Sequence, residues 1–212
     1  MSLRLAMVFL AAMAVTSTPA FACKGSTVIF QDNFQTADPA WHGELAVADG
    51  HANVTASPTT FGGAFYGGKI IDSGDACVDM VGPNVADPST AAAGIMFGFT
   101  DVNSYYLFMA REDGQAAVIQ FLPAGDREAT LTPVAYQVAP ALKPGANVTN
   151  TLRVTWSSTR ASTYINDQLF FAFDIQALQN TMIGLYVGPD FAPDTSASVT
   201  YQFNNLKVTN AP

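Results

Sequence analysis

From Gly94 to Phe121 the chain reads GIMFGFTDVNSYYLFMAREDGQAAVIQF, three apolar runs separated by two polar turns, Thr100 to Ser104 and Glu112 to Gly114. Each run has the length of a strand and is apolar enough to bury at least one face. Parity sorts the faces. Ile95, Phe97 and Phe99 on the first run, with Tyr106, Phe108 and Ala110 on the second, predict an inner face. Gly94, Met96, Gly98, Tyr105, Leu107, Met109 and Arg111 then form an outer one. Met182 to Gly188 repeats the pattern, with Ile183, Leu185 and Val187 inward and Gly184, Tyr186 and Gly188 outward.

Short strands separated by turn residues fill the rest. Ser26 to Phe34 is the first, and Asp49-Gly50 marks a tight turn inside Leu45 to Val54. A Gly- and aromatic-rich run, TTFGGAFYGG, precedes a strand at Ala76 to Gly82. A loop over Leu122 to Thr132 leads to a weaker strand at Val134 to Val138. In Thr151 to Trp156 the apolar Leu152, Val154 and Trp156 alternate with Thr151, Arg153 and Thr155, which predicts a strand with one wet side. Asn166-Asp167 turns between Ser162 to Ile165 and Gln168 to Phe173. Ile175 to Asn180 suits one short helical turn. In Ser198 to Val208 the apolar phase switches between Phe203 and Leu206, so a bulge is expected at Asn204-Asn205. With no repeat and no linker, residues 23–212 read as one all-β domain, a two-sheet antiparallel sandwich.

Residues 1–22 stand apart as an expected signal peptide, with Arg4, an apolar stretch from Leu5 to Val15, and Ala20-Phe21-Ala22 as a cleavage site. That stretch is shorter than a membrane span, and no later run is free of charges and turn residues, so no span is expected. The protein is therefore expected to be exported, to a periplasm or beyond. Its formal net charge of −8 becomes −9 without Arg4, and no Lys/Arg cluster offsets it, which excludes nucleic-acid binding. Neutral partners remain. Cys23 and Cys77 are the only cysteines. Export favours a bridge between them, worth roughly 4 kcal/mol in the chain-entropy model. Lipidation of Cys23 is the competing fate, but Ala20 and Phe21 depart from the aliphatic and small residues such a signal uses.

The order of motifs brings in a resemblance. Asp32-Asn33-Phe34 is followed by the central block, then NTLRVTW, ASTYINDQLFFAFD, GLYVG and FNNLKV. Together they resemble the concanavalin A-like lectin/glucanase superfamily, in particular laminin G-like and 3-keto-disaccharide-hydrolase-like domains. The resemblance spans Phe30 to Val208 and implies a jelly roll whose concave sheet carries a ligand site. The Glu-x-Asp-x-x-Glu strand of the β-glucanase members is missing from this chain.

Saccharide cleavage needs two carboxyl groups facing each other. Glu44, after Trp41-His42-Gly43, and Asp79, flanked by Val78 and Met80, are the candidates. Glu44 also suits a surface loop, and Asp79 also suits a wet strand face. Zinc is poorly served by His42 and His51 alone. Calcium would suit oxygen donors such as Asp190 and Asp194, although a Pro-stiffened acidic loop explains them as well. The leading expectation is a non-catalytic, lectin-like protein that holds a glycan or other neutral ligand through Trp41, Tyr105, Arg111 and Tyr186. A saccharide hydrolase or lyase, and an assembly protein forming a homodimer through the apolar outer face, are the alternatives.

Overall fold

The structure, a computed structural model, describes residues 23–58, 60–84, 87, 91–122, 130–189 and 198–212. The expected signal peptide, Asp190 and Asp194 lie outside these residues. In chain order the strands are β1 (Val28–Asp32), β2 (Trp41–Gly43), β3 (Ala46–Ala48), β4 (His51–Ala56), β5 (Gly62–Tyr66), β6 (Gly74–Val81), β7 (Ala91–Asp101) and β8 (Ser104–Arg111). Then come β9 (Gln115–Phe121), β10 (Thr130–Val138), β11 (Thr149–Trp156), β12 (Arg160–Ile165), β13 (Gln168–Asp174), β14 (Met182–Pro189) and β15 (Val199–Thr209).

They build two sheets. The larger, with eight strands, runs β13-β12-β11-β6-β15-β4-β3, with β1 also on β15. The smaller, with seven, runs β10-β9-β8-β7-β14-β5-β2. All pairings are antiparallel, and β7, β8 and β9 are consecutive neighbours. The core between the sheets holds Ile95, Phe97 and Phe108 from the smaller sheet against Trp156, Tyr201 and Phe203 from the larger. The architecture is a concanavalin A-like sandwich of the jelly-roll type.

Local chemistry sets the turns. Asp49 and Gly50 both take positive φ (53° and 76°), as do Asn166 and Asp167 (49° and 67°), the twist that tight hairpins require. Asn205 (φ 52°) carries the expected bulge, and the β6–β15 register shifts between Asn204 and Lys207. Leu206 and Val208 thereby return to the core beside Tyr201 and Phe203. The expected helical turn at Ile175 to Asn180 does not form. This segment crosses from the larger sheet to β14 of the smaller one, and it is anchored at Ile175, whose N–H donates to the Thr159 carbonyl at 3.0 Å.

Arg153 also departs from expectation. It is only 4% exposed rather than on a wet face, and Asp75 beside it is fully buried. Arg153 Nε and Nη2 donate to Asp75 Oδ1 and Oδ2 at 2.7 and 3.0 Å, and the guanidinium lies 4.6 Å from the Tyr164 ring centre. The chain's own N-terminal residues supply the cover. Cys23 is bridged to Cys77 on β6, and the Lys24 N–H donates to Asp75 Oδ2 at 2.6 Å. The bridge occupies the sulfur that lipidation of Cys23 would use. Because a buried charge stripped of its partner is costly, Arg153→Ala should lower unfolding free energy by about 3–5 kcal/mol in urea titrations. A loss below about 1 kcal/mol, the scale of a surface pair, would contradict a desolvated pair.

Candidate functional site

The outer face of the smaller sheet is where chemistry gathers, and one residue shapes it. Gly98 adopts φ +63°, and the β7–β8 register shifts between Phe97 and Asp101. A β-branched or bulky residue would be strained at that φ. The extra residue reverses parity, so Phe99 turns outward instead of following Ile95 and Phe97 into the core. Phe99 there stacks on Phe65 at 4.6 Å and tilts against Tyr105 at 5.7 Å.

Cross-strand pairing arranges the face in rows. One row runs Ile119, Leu107, Met96, Gly184, Phe65 and His42, from β9 to β2. The next includes Ala117, Met109, Gly94, Tyr186 and Gly63, so Tyr186 lies between two glycines. Gly94 admits no side chain, since a Cβ there would run into the Phe108 carbonyl. These rows hold no Asp or Glu. Leu107, Met109 and Ile119 are buried within the single chain. Toward β5 the face opens into a hollow of about 150 Å³ walled by Phe61, Phe65, Met96, Phe99, Val102 and Tyr105, over Gly43 and Gly63. Phe61, 54% exposed, forms its rim and stacks on Tyr186 at 5.7 Å.

The expected ligand contacts separate on this frame. Tyr105 and Tyr186 are on the outer face. Tyr105 stacks on Phe121 at 4.5 Å, and burial pushes its hydroxyl pKa up to about 12, so it stays protonated as a donor. Arg111 shares their parity but lies at the far end of β8, about 20 Å from Tyr105 at the rise of a strand. Its Nε and Nη2 donate to Asp113 at 3.2 and 2.6 Å, and its guanidinium covers the Tyr136 ring at 4.2 Å. Trp41 is on the other side. Opposite Tyr66 in β2, it packs with Phe30 and Phe34 against the core, and its indole N–H donates to Asp32 at 2.9 Å. His42, its neighbour, takes the outer position, 5.3 Å from Phe65. Phe61, Phe65 and Phe99 were not among the expected contacts; the first two stand in the TTFGGAFYGG run, the signal that could have found them.

The candidate acids do not form a pair. Asp79 is on β6 of the larger sheet, where Oδ1 accepts from Thr151 Oγ1 at 2.7 Å and Oδ2 from Asn205 Nδ2 at 3.0 Å. Glu44 is exposed beyond β2, at the edge of the smaller sheet. Among the described residues, no three His, Cys, Asp or Glu side chains converge as metal ligands. No helix among them is long and apolar enough to cross a membrane.

Solved structures share this fold. The carbohydrate-binding module CBM66 from Bacillus subtilis matches with a TM-score of 0.59 at 16% identity, over 82% of this chain and 96% of its own. LamAcat from Zobellia galactanivorans matches with a TM-score of 0.65 at 10% identity, over 87% and 98%. The potassium-bound carbohydrate recognition domain of Emp46p gives 0.63 at 11%, over 85% and 95%. The fold is concanavalin A-like. At these identities the likeness concerns the fold alone. No protein-family model matches the chain, and no curated protein matches its sequence.

One further group titrates abnormally. Glu112, in the β8–β9 turn, is 4% exposed and packs its carboxyl against Gly82, with Oε2 unbonded among the described residues. Burial, with the neighbouring Asp113 charge, pushes its pKa up to about 7 from 4.5. The folded state therefore holds a proton that the unfolded chain releases between about pH 4.5 and 7, and stability falls as pH rises through that window. Glu112→Gln should leave the unfolding free energy unchanged at pH 4 and raise it at pH 8 by about 2–3 kcal/mol. Equal effects at both pH values would contradict a buried, neutral Glu112.

Proposed function

We propose that the protein is an exported, non-catalytic, lectin-like sandwich that binds a carbohydrate or another neutral ligand on the outer face of its smaller sheet. The observation that carries this is the aromatic-walled hollow on that face. Phe61, Phe65, Phe99 and Tyr105 offer ring surfaces of the kind on which the C–H faces of sugars stack, and the Tyr105 hydroxyl offers a donor. Trp41 and Arg111 leave the contact set, because one serves the core and the other a turn.

The two candidate acids are not brought together, since Glu44 is in the β2–β3 loop and Asp79 is on β6 of the larger sheet, and a binding role does not need them to be. A carbohydrate-binding module and a carbohydrate recognition domain among the similar structures agree with a binding role, whereas LamAcat shares the same fold. Export is supported by the Cys23–Cys77 bridge, which persists in oxidising surroundings.

Glycan-array and affinity-gel measurements on the wild type, Phe61→Ala and Tyr105→Ala test this. Phe61→Ala should weaken binding by about tenfold, the scale of losing one aromatic contact. Tyr105→Ala should weaken it further. Undiminished binding in both variants would remove the hollow from the site.

A further inference from the structure

A second hollow adjoins the first. It is a cleft of about 320 Å³ between the β7–β8 turn and the crossing segment 176–181. Its character is different. Gln120, Gln176 and Gln179 line it together with Ser104, Thr100 and Thr181. The amide side chains of those three glutamines make no hydrogen bond to another described residue. Tyr105 lines both hollows, and Phe121, stacked on it, lines the cleft. Neither hollow has a charged residue among its described lining.

The same bulge makes both. At Gly98 it turns Phe99 out to wall the first hollow, and the missing side chain lets Leu178 of the crossing segment pack within a Cβ's reach. Chemically the halves are complementary. Tyr105 carries the first hollow's one polar side-chain group, so that hollow can face the C–H side of a sugar ring but cannot by itself satisfy the ring's several hydroxyls, each of which loses water on entry. Its volume matches a cavity that holds one benzene ring. The cleft offers several neutral amides and hydroxyls, each able to donate and accept, beside the face of Phe121.

We propose that the ligand is a neutral glycoside carrying an apolar aglycone. Its sugar ring lies in the cleft against Gln120, Gln176 and Gln179, and its aryl or short alkyl group fills the hollow behind Tyr105. This rests on the carbohydrate-binding role proposed above and narrows it to an amphiphilic class. A charged headgroup is disfavoured in both halves, since neither offers a counter-charge.

Calorimetric titration distinguishes this from simpler occupants. The probes are methyl and hexyl β-glycosides of glucose, galactose and N-acetylglucosamine, with 1-hexanol as the apolar control. The proteins are the wild type, Phe61→Ala and Gln176→Ala, both substitutions falling at exposed positions. For at least one sugar the hexyl glycoside should bind more than about tenfold tighter than both the methyl glycoside and hexanol, as burial of several methylenes implies. Phe61→Ala should weaken the hexyl glycosides by about tenfold more than the methyl glycosides and so shrink the hexyl advantage. Gln176→Ala should weaken both glycosides by the same factor and leave hexanol unaffected. Equal binding of methyl and hexyl glycosides would overturn the amphiphilic class while leaving the carbohydrate role standing. Hexanol binding as tightly as the hexyl glycosides would overturn the role of the cleft and the carbohydrate role with it. No binding by any probe would overturn both.

Discussion

The smaller sheet is apolar on both faces, and that constraint governs the molecule. A sandwich needs only one apolar face per sheet, yet β7 and β8 carry Ile95, Phe97, Tyr106 and Phe108 inward and Met96, Leu107 and Met109 outward. A register slip in such strands exchanges one apolar set for another and is not punished by exposure, so apolar pattern alone cannot hold the alignment. Shape has to do it. Gly94 and Gly184 admit close neighbours where no Cβ fits, and Gly98 places the bulge at a single position. Tyr186, lying between glycines, then has one place to go.

Most of the fold was legible because antiparallel strands advertise themselves twice, by alternation and by their turns. Asp49-Gly50, Asn166-Asp167 and the phase change before Leu206 each name a backbone event that the structure contains. Alternation failed where its premise of regular pairing or an uncovered face failed. Phe99 was assigned inward because parity counting assumes no inserted residue, and the Gly98 bulge inserts one. Arg153 was assigned to water because nothing local reveals that residues 23–24 return across β6 and β11. Trp41 misled for a related reason. A three-residue strand has too short a pattern to orient, and pairing with Tyr66 decided that the indole faces the core while His42 faces out. The outer face was thus half legible: the outward placement of Tyr105 and Tyr186 came from parity, whereas the hollow's rim at Phe61 and its far wall at Phe65 depend on which strand lies beside β14.

The larger sheet solves the opposite problem. Its outer side is polar, with Asp79, Thr151 and Asn205 bonded across three strands, but at Asp75 and Arg153 it buries charge instead of exposing it. An ion pair of this kind is a weak source of net stability, because desolvation offsets most of its attraction. What it adds is direction: the Lys24 N–H completes the coordination of Asp75, and the Cys23–Cys77 bridge fixes the same segment one strand position away. Charge and covalent bond thus specify one path for the N-terminal residues.

Strand β15 has a consequence in time as well as space. It comes last in order among the described strands, yet it sits inside the larger sheet, pairing with β6 along one side and with β4 and β1 along the other. Until it arrives, β6 lacks a neighbour on one side, and β4 and β1 present open hydrogen-bonding edges, the features that invite mispairing between chains. A chain emerging residue by residue therefore holds an unfinished larger sheet until Val199–Thr209 is available, and long-range closure of this kind is slow. Early compaction would have to come from the β7, β8 and β9 meander, whose pairings with one another are local. The segment that contributes most of the smaller sheet's outer apolar face is thus also the one able to fold first.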